Sequence, residues 1–163
     1  MSAINSVALV APTPFPAAGD GDARTIPWTE AGPQAERKDH FVRREGREFA
    51  GTHLIVDFWD AARLDDIERM DQALRDAVAA GGATLLHIHL HHFSVNGGIS
   101  GVAVLAESHI SVHTWPERNF AAFDVFMCGD AEPERSIAAL ERWFQPGRVS
   151  TRTCLRGEVG ADD

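Results

Sequence analysis

Between Ser100 and Cys128 the chain concentrates groups able to attack a carbonyl or to exchange protons: Ser100, Glu107, Ser108, His109, Ser111, His113 and Cys128. A serine followed five residues later by a histidine, as Ser108 is by His113, pairs a nucleophile with a candidate base. On an unbroken strand, residues five apart point to opposite faces, so this pairing needs a chain reversal. Glu107-Ser108-His109 offers one, because it breaks an apolar run, Val102 to Leu105, with three polar residues. No nucleophile elbow or triad order accompanies the pair, which counts against a general hydrolase. Cys128 sits beside the turn signal Gly129-Asp130, and a thiol's pKa suits acid–base work. Its plain alternative is a small buried hydrophobe. A second set, His87, His89 and His91, alternates along one strand face. Imidazoles about 7 Å apart occur in zinc sites, with His109, His113 or Asp57 as a further ligand. The competing reading is three polar side chains on a wet surface, because no Cys/His motif accompanies them.

The elements that must hold these groups follow from periodicity. His53 to Phe58 reads as a short apolar strand. From Leu64 the apolar residues Ile67, Met70, Leu74, Ala77 and Val78 share one helix face, and Gly81-Gly82 ends the helix. Thr84 to Phe93 alternates, with Leu86, Ile88 and Leu90 on one face and the three histidines on the other. Ser94 to Gly98 is a glycine-bearing loop. Three strands follow: Val102 to Leu105, Ile110 to Trp115 and Phe120 to Met127, with Pro116 stopping the second. Pro133 opens a second helix that buries Ile137, Leu140, Trp143 and Phe144, and Pro146-Gly147 ends it. Val149 to Leu155 is the last strand, with Arg148, Arg152 and Arg156 outward. The order β-α-β-β-β-β-α-β predicts an α+β fold, a two-layer sandwich with two helices on one face of a mostly antiparallel sheet. The other face is left to solvent or to a second subunit. Residues 1–50, punctuated by five prolines, show no lasting period and read as a disordered or loosely attached extension. The domain is expected over 51–157 and a frayed tail over 158–163.

Composition narrows the function classes. The 163 residues suffice for one cored domain. Lys and Arg total 15 against 24 Asp and Glu, a formal charge of −9, which argues against nucleic acid and an anionic membrane surface as partners. No apolar run approaches a membrane span, and the proline-interrupted start lacks a secretory pattern. Two cysteines, Cys128 and Cys154, make no disulfide framework, so a cytoplasmic protein with reduced thiols is expected.

The segment Ala106-Glu107-Ser108-His109-Ile110-Ser111-Val112-His113-Thr114-Trp115-Pro116-Glu117, followed by Phe123-Asp124-Val125-Phe126-Met127-Cys128-Gly129-Asp130, resembles the short prokaryotic type of S-adenosylmethionine decarboxylase proenzyme. The likeness extends from about His53, through His91-His92-Phe93-Ser94, to about Arg156. It implies a chain that cuts itself. Ser108 attacks the carbonyl of Glu107, amide becomes ester, and elimination and hydrolysis leave a pyruvoyl group derived from Ser108 on the new chain end. By the same resemblance His113 takes the Ser108 α-proton and Ser100 assists processing. The pyruvoyl carbonyl then forms a Schiff base with the substrate amine and accepts the electrons released with carbon dioxide, in place of a pyridoxal cofactor. Cys128 matches the proton donor to the α-carbon, Glu117 a carboxylate on the ribose hydroxyls, and Phe93 an aromatic stacked on adenine. Trp115 either walls the same pocket or belongs to the core.

The implied product is decarboxylated S-adenosylmethionine for spermidine biosynthesis, made by a homodimer with sites across the subunit interface. Members of the family that act on arginine or ornithine share the same cleavage, so the motif names the reaction more firmly than the substrate. A metal-binding module built on His87, His89 and His91, and an unprocessed regulatory paralogue, are the readings from other classes. Two departures stand out. The loop after Phe93 is one residue longer before Ser100 than is usual, with Gly97 and Gly98 where relatives more often have one glycine, and His87 and His89 replace positions that are more often small and polar.

Overall fold

The computed structural model describes residues 41–160. After a short hairpin of β1 (Val42–Arg44) and β2 (Arg47–Phe49) come β3 (Gly51–Trp59), α1 (Ile67–Ala80), β4 (Leu85–His92), β5 (Ile99–Leu105), β6 (Ser108–Trp115), β7 (Phe120–Met127), α2 (Pro133–Phe144) and β8 (Arg148–Arg156). From β3 onward this is the predicted order. The six longer strands form one sheet in the order β4-β5-β6-β7-β3-β8, antiparallel at every step.

Strict alternation makes the sheet two-faced. Leu54, Val56 and Phe58 of β3, Ile110 and Val112 of β6, and Phe123, Val125 and Met127 of β7 are all buried on one face. There they meet Met70, Leu74 and Val78 of α1 and Leu140 and Phe144 of α2. Each such large side chain contributes roughly 1.5–3 kcal/mol by leaving water. α1 starts where Asp66 caps it, its carboxylate accepting from the Arg69 N–H at 3.0 Å. Leu64 is buried but precedes the helix. α2 opens on Pro133, which has no N–H to waste at a helix start. The helices are bracketed by Arg69, which lies over the Trp143 ring and donates to the Trp143 carbonyl. That bracket leaves Trp143 only half-buried, where the periodicity predicted a core residue.

Three expectations change. Leu86 does not join Ile88 and Leu90 on the core face. The β4–β5 register shifts between Leu85 and His87, so Leu85 packs inward and Leu86 is 63% exposed. A bulge cannot be read from an alternating pattern that continues on either side of it. Residues 42–49, grouped with the extension by their lack of period, form the β1–β2 hairpin and carry the buried Phe49. The tail is tied to that hairpin as well: Glu48 bridges to Val159, and Arg47 grips Glu158 with two bonds of 2.5 and 2.7 Å. Residues 1–40 of the expected extension and 161–163 of the expected tail lie outside the described residues.

Candidate active site

β5 and β6 form a hairpin whose loop is Ala106-Glu107, because Leu105 already pairs with Ser108. The turn therefore lies one residue earlier than the predicted 107–109, and Ser108 and His109 are strand. Glu107 is left-handed, with φ at +66°. A non-glycine residue there costs on the order of 1–2 kcal/mol, so strain sits on the residue whose carbonyl precedes Ser108.

Ser108 is half-buried, and its Oγ accepts the backbone N–H of Cys128 at 3.2 Å. Cys128 is the first residue past β7. Burial pushes its thiol pKa up, and the nearby Glu107 carboxylate pushes it further. The thiol is thus kept protonated, the form a proton donor requires. Glu107, Ser108 and Cys128 make one end of the site.

Ser100 and His113 make the other. They are cross-strand partners on the face away from the helices, and Ser100 Oγ lies 2.8 Å from His113 Nδ1. Which of the two donates depends on the imidazole tautomer. Both line a cavity of about 530 Å³ that also takes in His91, Phe93, Val95 and Trp115. Phe93 is 45% exposed, its ring edge-on to His91 at 4.5 Å. The two glycines of the longer loop have separate uses. Gly97 turns the chain at φ +70°, while a Cβ on residue 98 would come within 2.9 Å of the Thr114 carbonyl. The loop closes with the Phe93 N–H donating to the Gly98 carbonyl at 2.8 Å. Glu117, in the 3₁₀ turn Pro116–Arg118, is exposed and does not line this cavity.

Within one copy the two ends do not meet. β6 runs unbroken from Ser108 to Trp115, so at about 3.3 Å per residue Ser108 and His113 are roughly 17 Å apart, with side chains on opposite faces. The chain reversal that the Ser108–His113 pairing requires is absent. Nor is the metal reading supported: among the described residues no group of three or more His, Cys, Asp or Glu side chains is arranged to hold an ion. His87, His89 and His91 share the open face of the edge strand β4, all three exposed.

The open face carries a further cluster that the sequence reading left out. Asp124 accepts from Ser111 Oγ at 3.2 Å and lies 3.4 Å from His53 Nε2. Arg156 lies 3.3 Å from His53 Nδ1. The rings of His53 and His109 both rest on Phe126, at 5.9 and 5.7 Å. Burial first, and then the neighbouring His53, hold the His109 pKa below the usual imidazole value against the pull of Asp124. The alternation of Phe120, Ala122, Asp124 and Phe126 was the available signal, since it sets a carboxylate on the face away from the core.

A serine-bearing hairpin in a fully antiparallel sheet, backed on one face by two helices, defines a two-layer α+β protein with candidate reactive groups at the sheet's turn and on its open face. Comparison with known proteins gives the same outline and a family. Residues 52–157 match the family model described as S-adenosylmethionine decarboxylase. An S-adenosylmethionine decarboxylase proenzyme of Thermomicrobium roseum is 42% identical over 110 residues, 67% of this chain and 95% of that protein. One from Methanococcus maripaludis is 44% identical over 112 residues, covering 67% and 91%. Among solved structures, the adenosylmethionine decarboxylase from Aquifex aeolicus superposes with a TM-score of 0.63 at 30% identity, covering 71% of this chain and 97% of that one. The chain belongs to the S-adenosylmethionine decarboxylase family.

Proposed function

We propose that this protein is a self-cleaving, pyruvoyl-dependent S-adenosylmethionine decarboxylase, cut between Glu107 and Ser108, whose product feeds spermidine synthesis. The observation that carries the reading is the turn itself. Glu107 is held in a strained left-handed conformation directly before a half-buried serine whose Oγ is bonded to the Cys128 N–H. That arrangement fits a group made from Ser108, because the hydroxyl follows directly on the carbonyl it must attack and is held by the N–H of the residue that carries the protonated thiol. The pyruvoyl group, once formed, supplies the electron sink that ordinary side chains lack. Cys128 then delivers a proton to the substrate α-carbon. Phe93 and Trp115 wall the nucleoside's share of the cavity, which Glu117 does not line. The relatives above are named for S-adenosylmethionine, and nothing in the site favours arginine or ornithine.

The separation of Ser108 from His113 supports a homodimer. One copy keeps Ser108 and His113 on opposite faces of β6, so a site that uses both draws them from two copies. The open face suits such a partner, with Ile55, Trp59, Val104 and Trp115 each at least 36% exposed there. Among the described residues no helix is long and apolar enough to cross a membrane, and the cysteines Cys128 and Cys154 are both free thiols. Both facts accord with work on a small molecule in the cytoplasm.

Intact mass measurement tests the reading. Cleavage yields chains of 107 and 56 residues, the second lacking a free amino end. A full-length mass that persists on long incubation, the same as for Ser108→Ala, would overturn it. Carbon dioxide release from S-adenosylmethionine, arginine and ornithine, measured in parallel, then assigns the substrate.

A further inference from the structure

Cleavage at Glu107–Ser108 creates a chain end at the one place where the reactive group must stay still. New chain ends fray unless something ties them down, whereas a reacting group must hold its geometry to within about 0.5 Å. Residue 108 loses its hydroxyl, the acceptor for the Cys128 N–H, when the group forms, and its own N–H goes with the cut, so only its carbonyl is left to keep the pairing with Leu105. The next residue is His109. Its backbone pairs with Val104 of β5 on one side and Phe126 of β7 on the other. Its ring lies tilted at 35° over Phe126 at 5.7 Å and edge-on to His53 at 6.2 Å. His53 is placed in turn by contact with Phe126 at 5.9 Å and by Arg156 at Nδ1, while Asp124 stands 3.4 Å from its Nε2 without a hydrogen bond. His109 is therefore the first side chain after the cut that is gripped from other strands, by Phe126 of the adjacent β7 and by His53 of β3 one strand further on.

We propose that His109 is a positioning residue for the group formed from Ser108: its ring, held between His53 and Phe126, pins the chain end that cleavage creates. The proposal rests on the self-cleavage reading above. The clamp matters little while the chain is continuous, because Ala106-Glu107 then anchors Ser108 from the other side. After cleavage it is the first tether from a side chain. A phenylalanine at 109 would keep the ring contacts, and an alanine would lose them.

Hydrogen exchange at the start of β6, read by mass spectrometry on full-length protein, separates this from a merely structural role. In the cleaved protein, His109→Ala is expected to speed exchange of the amides at 109–111 by about tenfold or more. The same substitution placed on Ser108→Ala, where the chain stays whole, is expected to change them less than about twofold. His109→Phe should restore protection and most of kcat, with KM little altered throughout. Phe126→Leu, which loosens the clamp from β7, should reproduce the exchange effect should His109→Ala fold poorly. Equal acceleration in cut and uncut chains, or none in either, would overturn the clamp. A wild-type protein that never cleaves would instead overturn the self-cleavage reading, so the two failures are told apart.

Discussion

The two ends of the β5–β6 hairpin hold their reactive groups by different means. At the Glu107–Ser108 end the backbone does the holding, through a left-handed residue and one peptide N–H on a hydroxyl. At the Ser100–His113 end side chains do it, and they stand on a buried threonine. Thr114 accepts the Ile99 N–H at 2.8 Å and donates to the Leu64 carbonyl at 2.9 Å, joining β5, β6 and the approach to α1. Backbone placement suits a step that happens once, within the chain. Side-chain placement suits groups that are presented to something outside the chain.

This contrast can be broken in several ways. The largest effect is expected from Ser108→Ala, which should abolish cleavage and leave one full-length mass. Cys128→Ala should still cleave, but carbon dioxide release should fall by roughly 10²–10⁴-fold, because the general acid is gone. Mixing probes whether the two ends belong to different copies. Co-expressed Ser108→Ala and His113→Ala chains should recover about a quarter of wild-type activity, since half of randomly paired dimers carry one intact site out of two. No recovery in isolated mixed dimers would place both groups in one copy.

Smaller effects sharpen the same picture. Thr114→Val should cost about 1–3 kcal/mol in chemical denaturation, because it strands a buried N–H and a buried carbonyl. It should disturb the Ser100–His113 end while leaving the Glu107 turn intact. The smallest effect is acid sensitivity at His109. Its folded pKa lies below the ordinary value near 6.5, so the unfolded chain binds protons that the folded chain refuses. That share of stability is complete above about pH 6.5 and is lost as the pH falls towards the folded value. His109→Phe should flatten the fall in melting temperature over this range.

Most of the layer architecture was legible because alternation in β3, β6 and β7 and the 3.6-residue period of both helices agree on a single buried face. Turn signals placed the connections to within a residue or two, and the Ala106–Glu107 turn was missed by one because nothing polar marks Ala106. The bulge at Leu85–His87 and the hairpin at 42–49 were not legible. Both depend on a partner strand or a distant ion pair, which no local window contains. The chemistry-bearing residues were legible by type, but not their division into two ends. That depends on whether β6 bends after Ser108, and its pattern from Ser108 to Trp115 is as compatible with a straight strand as with a broken one. His53, Asp124 and Phe126 escaped notice because their cluster is assembled laterally, across three strands.

The strand order has a consequence for the protein after it cuts itself. Strands β3, β4 and β5 go to the first fragment, and β6, β7 and β8 to the second, yet β3 lies between β7 and β8. Each fragment thus supplies the inner neighbours of the other, and α1 packs on α2 across the same divide. The halves are interleaved and can part only by dismantling the sheet. Once melted they become two molecules that must find each other, so refolding turns from a first-order into a second-order process. Recovery after heating should then rise with protein concentration more steeply for the cleaved form than for uncut Ser108→Ala, in which the two halves stay tethered. A reaction that equips the enzyme for catalysis also makes its folding close to a one-time event.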